Sequence, residues 1–276
     1  MLRSLYSGVS GMRGFQTKLD VIGNNIANVN TVGFKAGRVN FKDILSQTTA
    51  GVTAPNGTTQ GGVNAKQIGL GSAIGSIDTI HTPGSAMTTN VATDLRIDGD
   101  GFFAVKADMA NGGDPFLTRD GNFKVDANGN LVTQDGLFVL DVGGAEINLA
   151  GVTSFSIASN GDIITSVGGA APTVQTSIGI AKVTNPSGLE KVGGNLYRTT
   201  PNADAATAGG GQLTLYNANS SADGTGAIVT GQLEMSNVDL TSEFTEMIIA
   251  QRGFQANSRI ITTSDEVLQE VVGLKR

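Results

Sequence analysis

The sequence predicts an α+β protein, with N- and C-terminal α-helices paired as a coiled-coil-like module around a central, mainly antiparallel β-domain. Three observations predict it. Leu2, Leu5, Val9, Met12, Leu19, Ile22 and Ile26 recur at helical spacing, which places them on one stripe of a helix. Leu240, Phe244, Met247, Phe254, Ile261 and Leu268 repeat that step near the other end. Between them, from about Ile77, the apolar period shortens to two, punctuated by Asp-Gly and Asn-Gly dipeptides.

The first helix is expected over Leu2 to Asn28, roughly 40 Å at about 1.5 Å per residue. Gly8, Gly11, Gly14 and Gly23 lie in its interior, each costing roughly 1 kcal/mol relative to Ala. Such a helix is weak alone and is expected to be stabilised by packing, with Ser4, Gly8 and Gly11 forming a smooth face open to a second backbone. The alternative is a buried helix of a compact domain. Asn30, Thr31 and Gly33 then favour a turn or a left-handed cap. Phe34, Val39, Phe41, Ile44 and Leu45 make a short apolar-rich segment.

From Ser46 to Ser76 the chain is rich in Gly, Thr, Ser, Gln and Asn and includes Pro55-Asn56-Gly57, so it reads as a linker or extended arms ordered by neighbours. Short strands are expected at Phe102 to Lys106, Asn122 to Val125, Leu131 to Gln134, Leu137 to Leu140, Phe155 to Ala158, Ile178 to Val183 and Leu213 to Tyr216. Asp98-Gly99, Asp100-Gly101, Asp120-Gly121, Asn128-Gly129, Asp135-Gly136 and Asn160-Gly161 separate them, as dipeptides that accept the positive φ of hairpin turns. Pro201 to Gly211 and Asn217 to Gly226 read as surface loops. The last helix starts at Asp239 as N-cap, with Glu243 and Glu246 early and Lys275 and Arg276 late, matching the helix dipole. The expected division is 1–45 with 236–276 as the helical module, 46–76 as arms, and 77–235 as the β-domain.

Composition limits the chemistry. The 276 residues suffice for a sizeable core, aromatics are 5% with no Trp, and 39 glycines imply many turns. A net charge of −6 opposes nucleic-acid binding, which rests on clustered Lys and Arg. No cysteine excludes disulfides, thiolate metal sites and Cys nucleophiles. Ser4, Ser7, Gly8, Ser10 and Gly11 interrupt any apolar signal region, and no stretch approaches twenty apolar residues, so neither a cleaved secretory signal nor stable membrane insertion is expected.

Catalytic, cofactor and metal sites are expected to be absent. His81 is the only histidine and sits in the turn-like Ile80-His81-Thr82-Pro83-Gly84, without a G-x-S-x-G motif. Gly69 to Gly75 lacks the glycine spacing and βαβ setting of a dinucleotide loop. Asp126, Asn128 and Asn130 match the start of a calcium loop, but Leu131 and Leu137 stand where Gly and Glu are required, so a hairpin tip is the better reading.

Leu19 to Lys35, LDVIGNNIANVNTVGFK, resembles the N-terminal motif of the bacterial flagellar rod and hook family, with Asn24, Asn25, Ala27, Asn28, Thr31, Gly33, Phe34 and Lys35 at its motif positions. Ser236 to Arg276 resembles the family's closing helix, with Ala250, Gln251, Arg252, Asn257 and Asp265 in place. Asp98 to Leu140 is similar to the core of its β-domain. The resemblance implies a non-enzymatic axial protein that is exported unfolded through the flagellar type III apparatus and forms a homopolymer beyond the membrane. Other rod proteins, the hook–filament junction and the hook cap are its implied neighbours. Within the family a short hook subunit is the first reading and a distal rod subunit, similar in length and in both terminal motifs, the second; the departure from the hook pattern is the small middle, which has no room for the additional outer β-domain that many hook proteins carry.

The expected assembly interface comprises Leu5, Val9, Met12, Leu19, Ile22, Asn24, Asn25, Ile26, Asn28, Gly33, Phe34, Leu240, Phe244, Met247, Gln251, Arg252, Phe254, Asn257, Ile261 and Leu268. Asn24, Asn25, Asn28, Gln251 and Arg252 are expected to satisfy one another and neighbouring backbone, the alternative being that they only cap helix ends. From a different class, a secreted β-rich adhesin or a carbohydrate-active protein would need aromatic platforms and paired carboxylates. Trp is absent and the Asp residues sit in turns.

Overall fold

The computed structural model describes residues 2–55, 61–109, 114–168, 171–204 and 213–274. Met1, Asn56-Gly57, residues 205–211 of the second loop, and Lys275 with Arg276 lie outside them. The chain forms two compact units, Met1–Ala27 with Gly37–Thr79 and Asp239–Arg276, and Asn28–Ala36 with Ile80–Val238. It therefore passes between them at 27/28, 36/37, 79/80 and 238/239.

The first unit holds helix α1, Leu2–Ala27, and helix α2, Leu240–Gly273. Asp239 caps α2 by accepting from the Thr241 amide at 2.9 Å, and Glu243 lies in its first turn, where a carboxylate meets the positive end of the helix. Strand β1, Gly37–Asp43, pairs antiparallel with β4, Ser72–Thr79, across a bulge at Asn40/Phe41. Strands β2, Ser46–Ala50, and β3, Lys66–Gly69, form a separate antiparallel ribbon with every residue exposed. Residues 46–76 thus carry a hairpin rather than unpaired chain. A lone two-stranded ribbon is marginal in water, so this one owes little to core packing.

The second unit is antiparallel throughout. Strand Phe102–Lys106 is its centre and pairs with Phe116–Thr118, Phe138–Val139 and Ile180–Ala181. Its successive side chains point to opposite faces. Phe103 and Val105 enter a core with Leu95, Ile97, Phe123 and Ile163, while Phe102 and Ala104 enter another with Leu117, Leu140 and Tyr197. Burial on both faces explains why FFAV is continuously apolar. A three-stranded meander, Ser154–Ile157, Asp162–Ser166 and Thr173–Ser177, lies in the same unit.

The expected turn glycines Gly99, Gly101, Gly129, Gly136 and Gly161 have positive φ. Gly121 does not, and it is required for space: a Cβ there would overlap the Leu95 carbonyl oxygen.

Candidate assembly surface

The helices pair antiparallel, since contacts run from Gly8 with Ile261, through Gly11 with Asn257 and Phe15 with Gly253, to Lys18 with Glu246 and Asn25 with Glu243. Small residues set the distance. A Cβ on Gly8 would lie 3.5 Å from the Asn257 carbonyl oxygen, one on Gly11 would lie 2.8 Å from Asn257 Nδ2, and one on Gly253 would lie within 2.8 Å of the Phe15 ring. Gly14 makes similar room for Phe41 of β1. Two of the glycines that weaken α1 in isolation, Gly11 and Gly14, are therefore ones that let it pack, whereas Gly23 faces open space.

Among the expected interface residues, Ile22, Asn25, Gly33 and Phe34 are buried. Leu5, Val9, Met12, Leu19, Ile26, Asn28, Met247, Asn257, Ile261 and Leu268 are half-buried, and Asn24, Leu240, Phe244, Gln251, Arg252 and Phe254 are exposed. The inward stripe of α2 uses Ala250, which is fully buried, and Gly253, instead of the larger Phe244 and Phe254. Sequence reasoning placed Ala250 at a motif position but left both small residues out of the helix seam, although their spacing of three from each other and seven from Asn257 to Ala250 carries the helical signal.

Asn25 joins three elements of this unit. Its side chain accepts from the Gly37 amide at 3.0 Å and donates to the Gly37 carbonyl at 2.9 Å, as a neighbouring strand would, and it donates to Glu243 of α2 at 3.1 Å. The amide thus starts β1. Arg252 donates to the Gln255 side chain at 3.4 Å, and Asn28 accepts from the Thr31 hydroxyl at 3.1 Å.

Outward, α2 is apolar on a further face. Ile249, Ile260, Val267, Val271 and Leu274 are separated by eleven, seven, four and three residues, close to one line along the helix, and are 42 to 87% exposed. Phe244 and Ile248 add to the exposed apolar area on another side. A helix apolar on this much of its circumference suits a fully surrounded position, and contiguous exposed apolar surface marks an interaction site.

The end of the N-terminal motif lies in the second unit. Gly33 has φ +69°, and a Cβ there would lie 2.7 Å from the Asp120 amide nitrogen, so only Gly fits. Its amide donates to the Glu234 carbonyl at 2.8 Å. Lys35 is buried, ion-paired with Glu234 and donating to the Thr82 carbonyl at 2.9 Å. Glu234 also takes Arg119 at 3.2 Å and the Gly84 amide at 2.9 Å. Burial pushes the Glu234 carboxyl up, but Arg119 and Lys35 beside it outweigh this and hold it below its ordinary value. Asn237 ties the same segments, accepting from the Ala36 amide and donating to the Ile80 carbonyl, both at 2.8 Å. Residues next to three of the chain's passages between units are thereby bonded to one another within the second unit.

His81 packs between Phe102 and Tyr197, with ring centroids 5.7 and 5.6 Å away. Burial, and then the charges of Lys35, Arg119 and Lys191, push it down to about 4, so it is neutral at pH 7. Asp126, Asn128 and Asn130 belong to the turn between Lys124–Val125 and Leu131–Val132, where Gly129 donates to the Asp126 carbonyl. Among the described residues no group of His, Cys, Asp or Glu could hold a metal ion, and no helix is long and apolar enough to cross a membrane.

Three family descriptions match the chain: "Flagella basal body rod protein" at residues 5–35, "Flagellar hook protein FlgE/F/G D1 domain" at 96–181, and "Flagellar basal body rod FlgEFG protein C-terminal" at 229–274. The chain is 56% identical to the flagellar basal-body rod protein FlgG of Bacillus subtilis and 35% identical to that of Borreliella burgdorferi, in each case over the whole of both chains. It is 54% identical to the flagellar hook protein FlgE of Borreliella burgdorferi over 132 residues, covering 48% of this chain and 29% of that protein.

Proposed function

We propose a distal-rod subunit as the function of this chain, which belongs to the bacterial flagellar rod and hook protein family. As a member it is a structural axial component of the flagellum and not an enzyme. The observation that carries the rod reading is coverage. Relatives named as rod proteins align end to end, whereas the hook relative aligns with under a third of its own length. This favours the rod over the hook that the sequence motifs alone put first.

The mechanism follows from the first unit. Antiparallel α1 and α2 form the inner element of each subunit, and the outward stripe from Ile249 to Leu274 is covered by neighbouring copies. A head-to-tail contact that does not close into a ring then builds a helical tube. Gln251, Leu240, Phe244 and Phe254, exposed in the single chain, are covered by those copies. The β2–β3 ribbon, with exposed Leu45, Val52, Val63 and Ile68, locks neighbours together, as a straight and rigid shaft requires. The glycine-weakened α1 stays loose during export through the type III apparatus and folds on assembly.

Self-assembly of the salted-out monomer, imaged by electron microscopy, tests this. Straight tubes are expected, and removing Leu240 to Arg276 should abolish them. Curved, flexible polymers would return the assignment to the hook, and normal tubes from the truncated chain would overturn the paired-helix mechanism.

A further inference from the structure

A cavity of about 360 Å³ in the second unit plays no part in the assembly mechanism, and it is walled by His81, Asp100, Phe102, Arg119, Lys182 and Thr184. Arg119 is 4% exposed, with its guanidinium 5.2 Å from the Phe102 ring centroid. A guanidinium offers five N–H groups. Among the described residues it donates to the carbonyls of Gly99 at 2.8 Å and Ile97 at 3.5 Å and to Glu234 at 3.2 Å, while its Nε has no partner. His81 Nδ1, in the same wall, also has none. His81 is neutral at pH 7 and carries one ring N–H, so the donor that counts here is Arg119 Nε: a buried N–H without an acceptor is costly, and charge-assisted bonds from Arg are among the strongest available.

Charge agrees with the donor count. Lys35, Arg119 and Lys191 all act on His81, and Lys182 stands at the exposed rim with its ammonium donating to the Asp223 carbonyl. Glu234 is already shared by Lys35 and Arg119, and Asp100 is exposed, where solvent screens its carboxylate. In a chain of net charge −6 this neighbourhood is cationic.

We propose that this cavity is a receptor for a single carboxylate or phosphate group, bound by the unspent N–H groups of Arg119 with Lys182 at its mouth. The source is either a free anion or an acidic side chain of a neighbouring subunit. The aromatic floor of Phe102 and the buried guanidinium give it the planar, fixed donor geometry that such groups select.

The test is nuclear magnetic resonance of the full monomeric chain titrated with inorganic phosphate and, separately, acetate. A saturable shift of the Arg119 Nε–H and His81 ring signals is expected. Lys182→Gln should weaken it about threefold or more, and Thr184→Trp, which fills the mouth, should remove it, both at unchanged unfolding temperature. The assembled polymer separates the sources. If a neighbour's carboxylate is the ligand, assembly alone reproduces the Arg119 shift and phosphate slows polymer growth. If a free anion is, the polymer still responds to phosphate. The proposal is overturned if neither anion nor assembly moves these signals, or if the shifts are the same in both variants.

Discussion

Removing Glu234 should damage the second unit more than removing Lys35, although they are two ends of one ion pair. Glu234 stands between two buried cations, Lys35 and Arg119, and also accepts from the Gly84 amide. Lys35→Met leaves Glu234 compensated by Arg119 and costs chiefly the bonds to Glu234 and to the Thr82 carbonyl, about 2–3 kcal/mol for charged hydrogen bonds in a dry site. Glu234→Gln leaves two cations facing a neutral amide, with their desolvation no longer offset, and costs about 3–5 kcal/mol. For a domain of this size that is on the order of 10 °C in unfolding temperature. Tyr197, buried in the neighbouring core, reports the transition by near-ultraviolet circular dichroism, and calorimetry gives its enthalpy. Equal losses in the two variants, or a Glu234→Gln variant within about 0.5 kcal/mol of wild type, would refute the shared-carboxylate account.

Acid should destabilise the same unit. His81 is held at about 4 when folded and returns to its ordinary 6.5 when unfolded, so the unfolded chain takes up the extra proton and stability falls as pH drops through that window. The loss, discounted for partial solvent screening, is about 2 kcal/mol, and the lowered Glu234 carboxyl adds to it as pH falls below about 4.5. His81→Phe should flatten the unfolding temperature between pH 6.5 and 4, and an unchanged slope would contradict this. Gly23→Ala, with nothing within 4 Å of its Cβ, should raise the stability of the first unit by about 0.5–1 kcal/mol, whereas Gly253→Ala, pressed against Phe15, should lower it by about 1–3. Shifts of the same sign would show that the helices are not held at the stated distance. Asn25→Leu leaves both Gly37 backbone groups without their partner, so hydrogen exchange at the Gly37 amide should speed up about tenfold or more. An unchanged rate would remove Asn25 from the start of β1.

Both helices were legible in the sequence because a 3.6-residue period needs no knowledge of the partner. Which residues of α2 face inward was not legible, because hydrophobicity ranks Phe244 and Phe254 above Ala250 and Gly253, while close approach of two helices selects the small pair. The FFAV strand was readable for the opposite reason, since burial on both faces writes a continuous apolar run. The β2–β3 ribbon left no trace in the hydrophobic pattern, because every residue is exposed and backbone and polar side-chain bonds join the strands. The buried triad was invisible because Lys35 and Glu234 lie 199 residues apart, and a charged residue in isolation reads as solvated. Among the motif residues, Asn25, Gly33, Phe34, Lys35 and Ala250 hold the chain's own fold. Asn24, Gln251, Arg252 and Asp265 are exposed.

The rod assignment is tested most directly by gold-labelled antibody against this chain on purified hook–basal bodies viewed by electron microscopy. Label confined to the straight shaft beneath the hook is the result expected, and label distributed along the curved hook would contradict it.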